Sequence, residues 1–198
     1  MKVGIISEFK TRTLNYGNHL QAYALNRYIN HELNHDAESI CFKSQRFNAL
    51  KIHITNPFKC LILVIKGKLG KFKKTKAIKT VNLDARYQTF IDFAQKHIKT
   101  SREMDWNGLC ESDYDCFIVG SDIVWYQYSG LMKRVKWLDF TNSKKAIKVS
   151  YAASMGKDWI PKENYRAIRR YLKDFKAISV RECSTANLMN KLQLGDAK

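Results

Sequence analysis

The sequence predicts an α/β protein: a parallel sheet with helices on both faces. Three observations carry that prediction. The chain opens with a β-α-β pattern inside about 40 residues, the unit from which parallel sheets are built. Short β-branched runs then alternate with helix-spaced apolar residues, with no internal repeat. Its 198 residues, 45% hydrophobic and 12% aromatic, suffice for one domain with a substantial core.

VGIIS (Val3 to Ser7) reads as a buried first strand that ends in a polar loop. After the turn-rich TLNYGN, a helix is expected from about Leu20 to Leu33, with Leu25, Tyr28, Ile29 and Leu33 at helical spacing. AESICF (Ala37 to Phe42) follows as a second strand. A basic middle section interrupts the alternation, which resumes with a helix at about Leu83 to His97. DCFIVGSD is a buried strand breaking at Gly120, and IKVSYAAS is another breaking at Gly156. A helix after Pro161 carries Ile168, Leu172 and Phe175 on one face. AISV (Ala177 to Val180) is the last strand expected and CSTANLMNKL the last helix.

HELNH, His31 to His35, matches the H-E-x-x-H zinc-protease signature, which works only on one unbroken helix. The helix must end before the strand at Ala37, and Asn34 sits where a left-handed cap belongs. His35 then falls off the helix face of His31, and no third ligand follows at suitable spacing. No metal is called for.

With 35 basic and 18 acidic residues, the net charge is +17, which favours anionic partners. The five cysteines are scattered, without a CxxC pair. They fit a reducing cytoplasm rather than a disulfide framework or zinc knuckle. No signal peptide is visible, and the apolar run CLILVI is too short to span a bilayer. The expected location is cytoplasmic. Between Lys43 and Val81 there is no acid, while lysines crowd Lys66 to Lys79 beside CLILVI. This segment reads either as an interfacial contact with anionic lipid at the inner membrane face or as a solvated insertion.

Three loops follow the carboxyl ends of expected parallel strands, where α/β sheets place ligands. In LNYGNHL, Asn15, Gly17 and Asn18 stand at a helix N-terminus suited to an anion or sugar oxygens; alternatively Asn18 caps the helix and Gly17 permits the turn. Gly120, Ser121 and Asp122 place a carboxylate where it can accept from a sugar hydroxyl, or else form a self-bonded turn. Trp125 is either a stacking platform or core. Ala152, Ala153 and Ser154 allow close approach of a ligand or of a helix. Arg181 is a fork for carboxylate or phosphate, or the partner of a neighbouring acid such as Glu182.

NYGNHLQAYAL, YDCFIVGSDIVW, VSYAASMG and ISVRE, in that order, together resemble the N-terminal half of the polysaccharide pyruvyl transferase family. The resemblance leaves out the basic middle section. It implies a Rossmann-like domain over residues 1–198 with a basic insertion at about 44–83, similar to the N-terminal domain of a two-domain GT-B glycosyltransferase. The second domain, which by resemblance holds most contacts to the donor, is expected to be missing, so that the chain alone is inactive. The implied activity moves pyruvate from phosphoenolpyruvate to a sugar of a cell-surface polysaccharide as a ketal, without a cofactor. A sugar or lipid-linked oligosaccharide is the implied acceptor. Asp122 and Glu182 are then the candidates for proton handling, and Asn15, Tyr16, Gly17, Asn18, Gly120, Ser121, Trp125, Ser154, Gly156 and Arg181 for substrate contact. The sequence departs from the family's GSDQVWN at Ile123 and Tyr126. The rival reading is a non-catalytic remnant or basic anion-binding module; nucleic acid is disfavoured because no reader motif is present.

Overall fold

The computed structural model describes residues 1–10, 15–43, 83–126 and 131–192, with backbone only for 83–86 and 131–132. In chain order the strands are β1 (Lys2–Ile6), β2 (Asp36–Phe42), β3 (Thr100–Met104), β4 (Cys116–Asp122), β5 (Ile147–Ala153) and β6 (Ala177–Val180). The helices are α1 (Tyr16–Arg27), α2 (Leu83–His97), α3 (Trp106–Glu111), α4 (Leu131–Lys136), α5 (Tyr165–Leu172) and α6 (Cys183–Lys191). All six strands form one parallel sheet in the order β3-β2-β1-β4-β5-β6. This is the Rossmann order, and it reverses direction between β1 and β4, where such sheets open a crevice at their carboxyl ends.

Strand alternation sorts the core onto the two faces of the sheet. Val3, Ile5 and Cys116 pack with Leu25 and Ile29 of the first helical segment. Phe117 and Val119 point the other way, toward Leu109, Val135 and Ile168 of α3, α4 and α5. Helices therefore cover both faces, as a parallel sheet requires.

The first helix begins at Tyr16 rather than Leu20, and its buried residues are His19, Ala22 and Asn26. Two of these are polar, and of the four residues at the expected apolar spacing Leu25 and Ile29 pack on the sheet while Tyr28 and Leu33 do not. At Tyr28 the helix widens into a π turn (Tyr28–Glu32), which breaks the 3.6-residue period. Tyr28 and Leu33 consequently face out, while Ile29 is buried. Asn34 adopts φ 51°, the left-handed cap expected of it. The His35 N–H donates back to the Ile29 carbonyl at 3.0 Å, beyond the helix. The unbroken helix that the HELNH reading needs is therefore not formed. Asn30 staples this reversal: its amide donates to the carbonyls of Asn26 at 2.8 Å and Ala37 at 2.9 Å, and its oxygen accepts from the Ala37 N–H at 2.9 Å.

The expected helix at Leu83–His97 is α2, and β2, β6 and α6 lie where the pattern put them. α5 ends at Leu172, so Phe175 packs from the following loop instead of the helix. Gly120 does not break β4. The strand continues through it, pairing Gly120 with Tyr151 and Asp122 with Ala153. β3, α3 and α4 are additional to the expected elements. The basic segment, Lys66 to Lys79 included, lies at residues 44–82 outside the described residues. Among the described residues no helix is long and apolar enough to cross a membrane.

Candidate active site

The carboxyl ends of β4 and β5 and the loop after β5 carry unusual backbone. Gly120 has φ 127° and Asp122 φ 102°, Ala152 has φ 48° and Gly156 φ 62°, and the Gly120–Ser121 peptide is cis. Only glycine fits at 120, because a Cβ there would fall 2.0 Å from the Tyr151 carbonyl oxygen. Asp122 is held in its left-handed conformation by its own carbonyl, which accepts from the N–H groups of Val124 at 2.7 Å and Ser154 at 2.9 Å. Trp125 N–H returns the link to the Ser154 carbonyl at 3.0 Å. The loops after β4 and β5 are thus one stitched unit, and strained residues over-determined in this way gather at functional sites.

These loops and the end of β6 bring three predicted residues together. The Arg181 guanidinium donates from Nε to Glu182 Oε1 at 2.7 Å and from Nη1 to Asp122 Oδ1 at 3.2 Å. The side chains remain 39%, 34% and 21% exposed for Arg181, Glu182 and Asp122, so a ligand can reach all three. Of the two readings of Arg181, the structure shows the ion pair with a neighbouring acid: it is the partner of Glu182, and it is also tied to Asp122. The Asp122 carboxylate reaches Arg181 rather than folding back on its own turn, and Oδ2 has no partner among the described residues.

Glu182 is more fully engaged. Partial burial pushes its carboxyl up, but hydrogen bonds from Arg181, Ser154 and Thr185 outweigh this and hold it below the ordinary 4.5. Thr185 Oγ1 donates to its second oxygen at 3.3 Å. A carboxylate so occupied is a weak base, better suited to fixing Arg181 than to taking up a proton. Of the two acids, Asp122 is the one placed to handle a proton.

The other candidates divide clearly. Ser154 is fully buried; its hydroxyl accepts from the Gly156 N–H at 2.9 Å and supports Glu182, so it positions the loop without facing solvent. A Cβ at Gly156 would meet Ile123 Cγ2 at 2.7 Å, so the departure at Ile123 makes an apolar contact with this turn. Ser121 is half-buried between Gly120 and Asp122. Trp125 corrects the stacking reading. It is 0% exposed, lies parallel to Trp137 at 4.7 Å, and donates from Nε1 to the Lys136 carbonyl at 3.1 Å. Its ring is committed to the core.

Asn15, Tyr16, Gly17 and Asn18 form a second group at the start of α1. The cap is Asn15, whose side chain accepts from the Asn18 N–H at 3.3 Å; Asn18, read as a cap, instead donates its amide to the Glu8 carbonyl at 3.3 Å. Gly17 is exposed. Tyr16 is also exposed and meets Phe90 edge-on at 4.4 Å.

Three residues near this group escaped the sequence reading. Glu8, in the loop after β1, is ion-paired to Lys136 at the end of α4, on the two strand–loop–helix units that flank the switch point. Burial pushes the Lys136 ammonium down to about 8, against the pull of Glu8. Glu8 had a signal, being the first charge after the first strand; Lys136 had none, since it is one of 35 basic residues. His19 was also missed: its ring is buried, with Nδ1 at 3.0 Å from the Asn15 carbonyl.

The fold and site define a Rossmann-like α/β protein with an acid–arginine–acid cluster at the carboxyl edge of its sheet. The chain belongs to the polysaccharide pyruvyl transferase family, whose model matches residues 15–198. That span takes in the basic segment, which the motif resemblance had left out. Comparison with curated proteins and with solved structures gives no match.

Proposed function

We propose that the protein transfers pyruvate from phosphoenolpyruvate to a sugar of a cell-surface polysaccharide, closing it as a ketal. The reading rests on one observation: in a chain of this family, Arg181 gathers Asp122 and Glu182 at the carboxyl edge of the sheet. In the reaction the enol carbon of the donor takes up a proton, and a sugar hydroxyl captures the resulting cation. A second hydroxyl then closes the ketal as phosphate leaves. Asp122 Oδ2 is the acceptor for a hydroxyl proton, because its partner oxygen alone is held by Arg181. Glu182 holds the arginine in register. Asn15 and Asn18 at the start of α1, beside the Glu8–Lys136 pair, are a second polar surface for the acceptor sugar.

A cytoplasmic location, a lipid-linked acceptor and contact of Lys66–Lys79 with an anionic membrane belong to the same proposal. So does a facing second domain of GT-B type. The decisive experiment incubates the longest product of the gene with phosphoenolpyruvate and a panel of sugar and lipid-linked acceptors. The expected result is acceptor-dependent phosphate release with a product that gains a pyruvate ketal by mass spectrometry. Phosphate release without any modified acceptor would defeat the proposal.

A further inference from the structure

A separate pocket lies at the opposite edge of the sheet, in the loops that lead into β5 and β6. It measures about 260 Å³ and is lined by Asp139, Thr141, Lys148, Arg170, Lys173 and Asp174, among others. Lys148 is the second residue of β5, so this pocket sits at the amino edge of the sheet, whereas Asp122 ends β4 and Arg181 follows β6 at the carboxyl edge.

We propose that this pocket is a second site, which binds the phosphoryl group of a small phosphate-bearing ligand. Lys148 carries the argument. It is 2% exposed on a sheet strand, and its ammonium lies 5.0 Å from the centre of the Phe175 ring. No carboxylate forms an ion pair with it among the described residues; Asp174 and Asp139 act on it only at longer range. Burial pushes this ammonium down, so its charge is costly unless an anion compensates it. Buried charges persist where a partner compensates them, and among the described residues no acid pairs directly with this one.

The surroundings favour an anion. Asp139 is already occupied by Arg134 at 2.6 Å, with Arg170 at 4.0 Å. The lining holds three cations, Lys148, Arg170 and Lys173, against two acids, Asp139 and Asp174, and the first of these acids is paired with Arg134 from outside it. The Arg170 fork suits phosphoryl oxygens in particular. Thr141 Oγ1 is a buried hydroxyl with no hydrogen-bond partner among the described residues, available as a further donor. Size limits the ligand: the pocket is below the roughly 300–1,000 Å³ of most small-molecule sites, which selects a compact phosphate over a nucleotide.

Inorganic phosphate is the probe, titrated at constant ionic strength against chloride, with binding read by calorimetry and by the shift in Tm. Wild type and Arg181→Gln are expected to bind phosphate alike, which separates this pocket from the candidate active site. Lys148→Met and Arg170→Gln are each expected to weaken phosphate at least about tenfold. Methionine keeps the volume of the buried stem and arginine 170 is surface-exposed, so both variants should fold; equal melting in phosphate-free buffer checks this. Phosphate binding that survives in both variants, binding abolished by Arg181→Gln alone, or no effect beyond chloride in wild type would each overturn the site.

Discussion

At Arg181 one guanidinium reaches two carboxylates, Glu182 at 2.7 Å and Asp122 at 3.2 Å. The two acids differ in what they have left to offer, and substitutions should separate them. Asp122→Asn keeps an oxygen for Arg181 but cannot accept a proton. It is expected to lower kcat by about 100-fold or more while costing under about 1 kcal/mol of stability, the range of a partly exposed ion pair. Normal turnover with a folded Asn variant would remove Asp122 from proton transfer. Glu182 makes a prediction in pH. Its carboxyl is held below 4.5, so its stabilising effect is fully present above that value. As pH falls through the lowered value the unfolded chain binds the extra proton first, and the contribution is lost. Glu182→Gln should therefore lose less Tm than wild type between about pH 6 and about pH 3, and parallel melting curves would contradict the shift. Asp122, Glu182 and Arg181 were all legible as polar residues after strands. The pairing of Arg181 with Glu182 was legible too; the joining of Asp122 to them was not, because 59 residues separate it from Arg181.

The β4–β5 ladder shows where local rules and tertiary structure part. CFIV reads as a strand from its own composition, and glycine after it reads as a break. The break fails because β5 lies alongside and brings the Tyr151 carbonyl against the Gly120 Cα, a contact visible only once the strands pair. Gly120→Ala adds both this clash and a positive φ, and is expected to cost about 3 kcal/mol or more, read by urea unfolding. An alanine variant of wild-type stability would show that the close approach is not maintained. Trp125 gives the matching test of a core aromatic. Trp125→Phe should retain most activity, while Trp125→Ala should lose about 3–5 kcal/mol of stability through a cavity beside Trp137. A large rise in KM for the Phe variant at unchanged stability would return Trp125 to the ligand. β3 escaped detection for a different reason. It is an edge strand of five residues in which only Ser101 and Met104 are buried, too few to set a period.

At the scale of the molecule, the +17 charge is unevenly placed along the chain, with seven lysines between Lys66 and Lys79 and no acid from Lys43 to Val81. Deleting 66–79 is expected to leave a cooperatively melting domain but reduce co-sedimentation with anionic vesicles, at ~1 kcal/mol per lysine near such a surface. Undiminished sedimentation of a folded deletion would separate the lysines from any membrane role. By itself the sequence determined the fold class, most strand positions, the left-handed end of the first helix and the family, because these depend on periodicity, on single-residue backbone preferences and on ordered motifs. Tertiary structure alone decided that Asp122 joins the Arg181–Glu182 pair, that Trp125 belongs to the core, that Glu8 meets Lys136, and that Lys148 is buried without an ion-pair partner among the described residues. Each of these depends on how separate strands, loops and helices are brought together, and parallel pairing through crossovers leaves no local trace of which residues will meet.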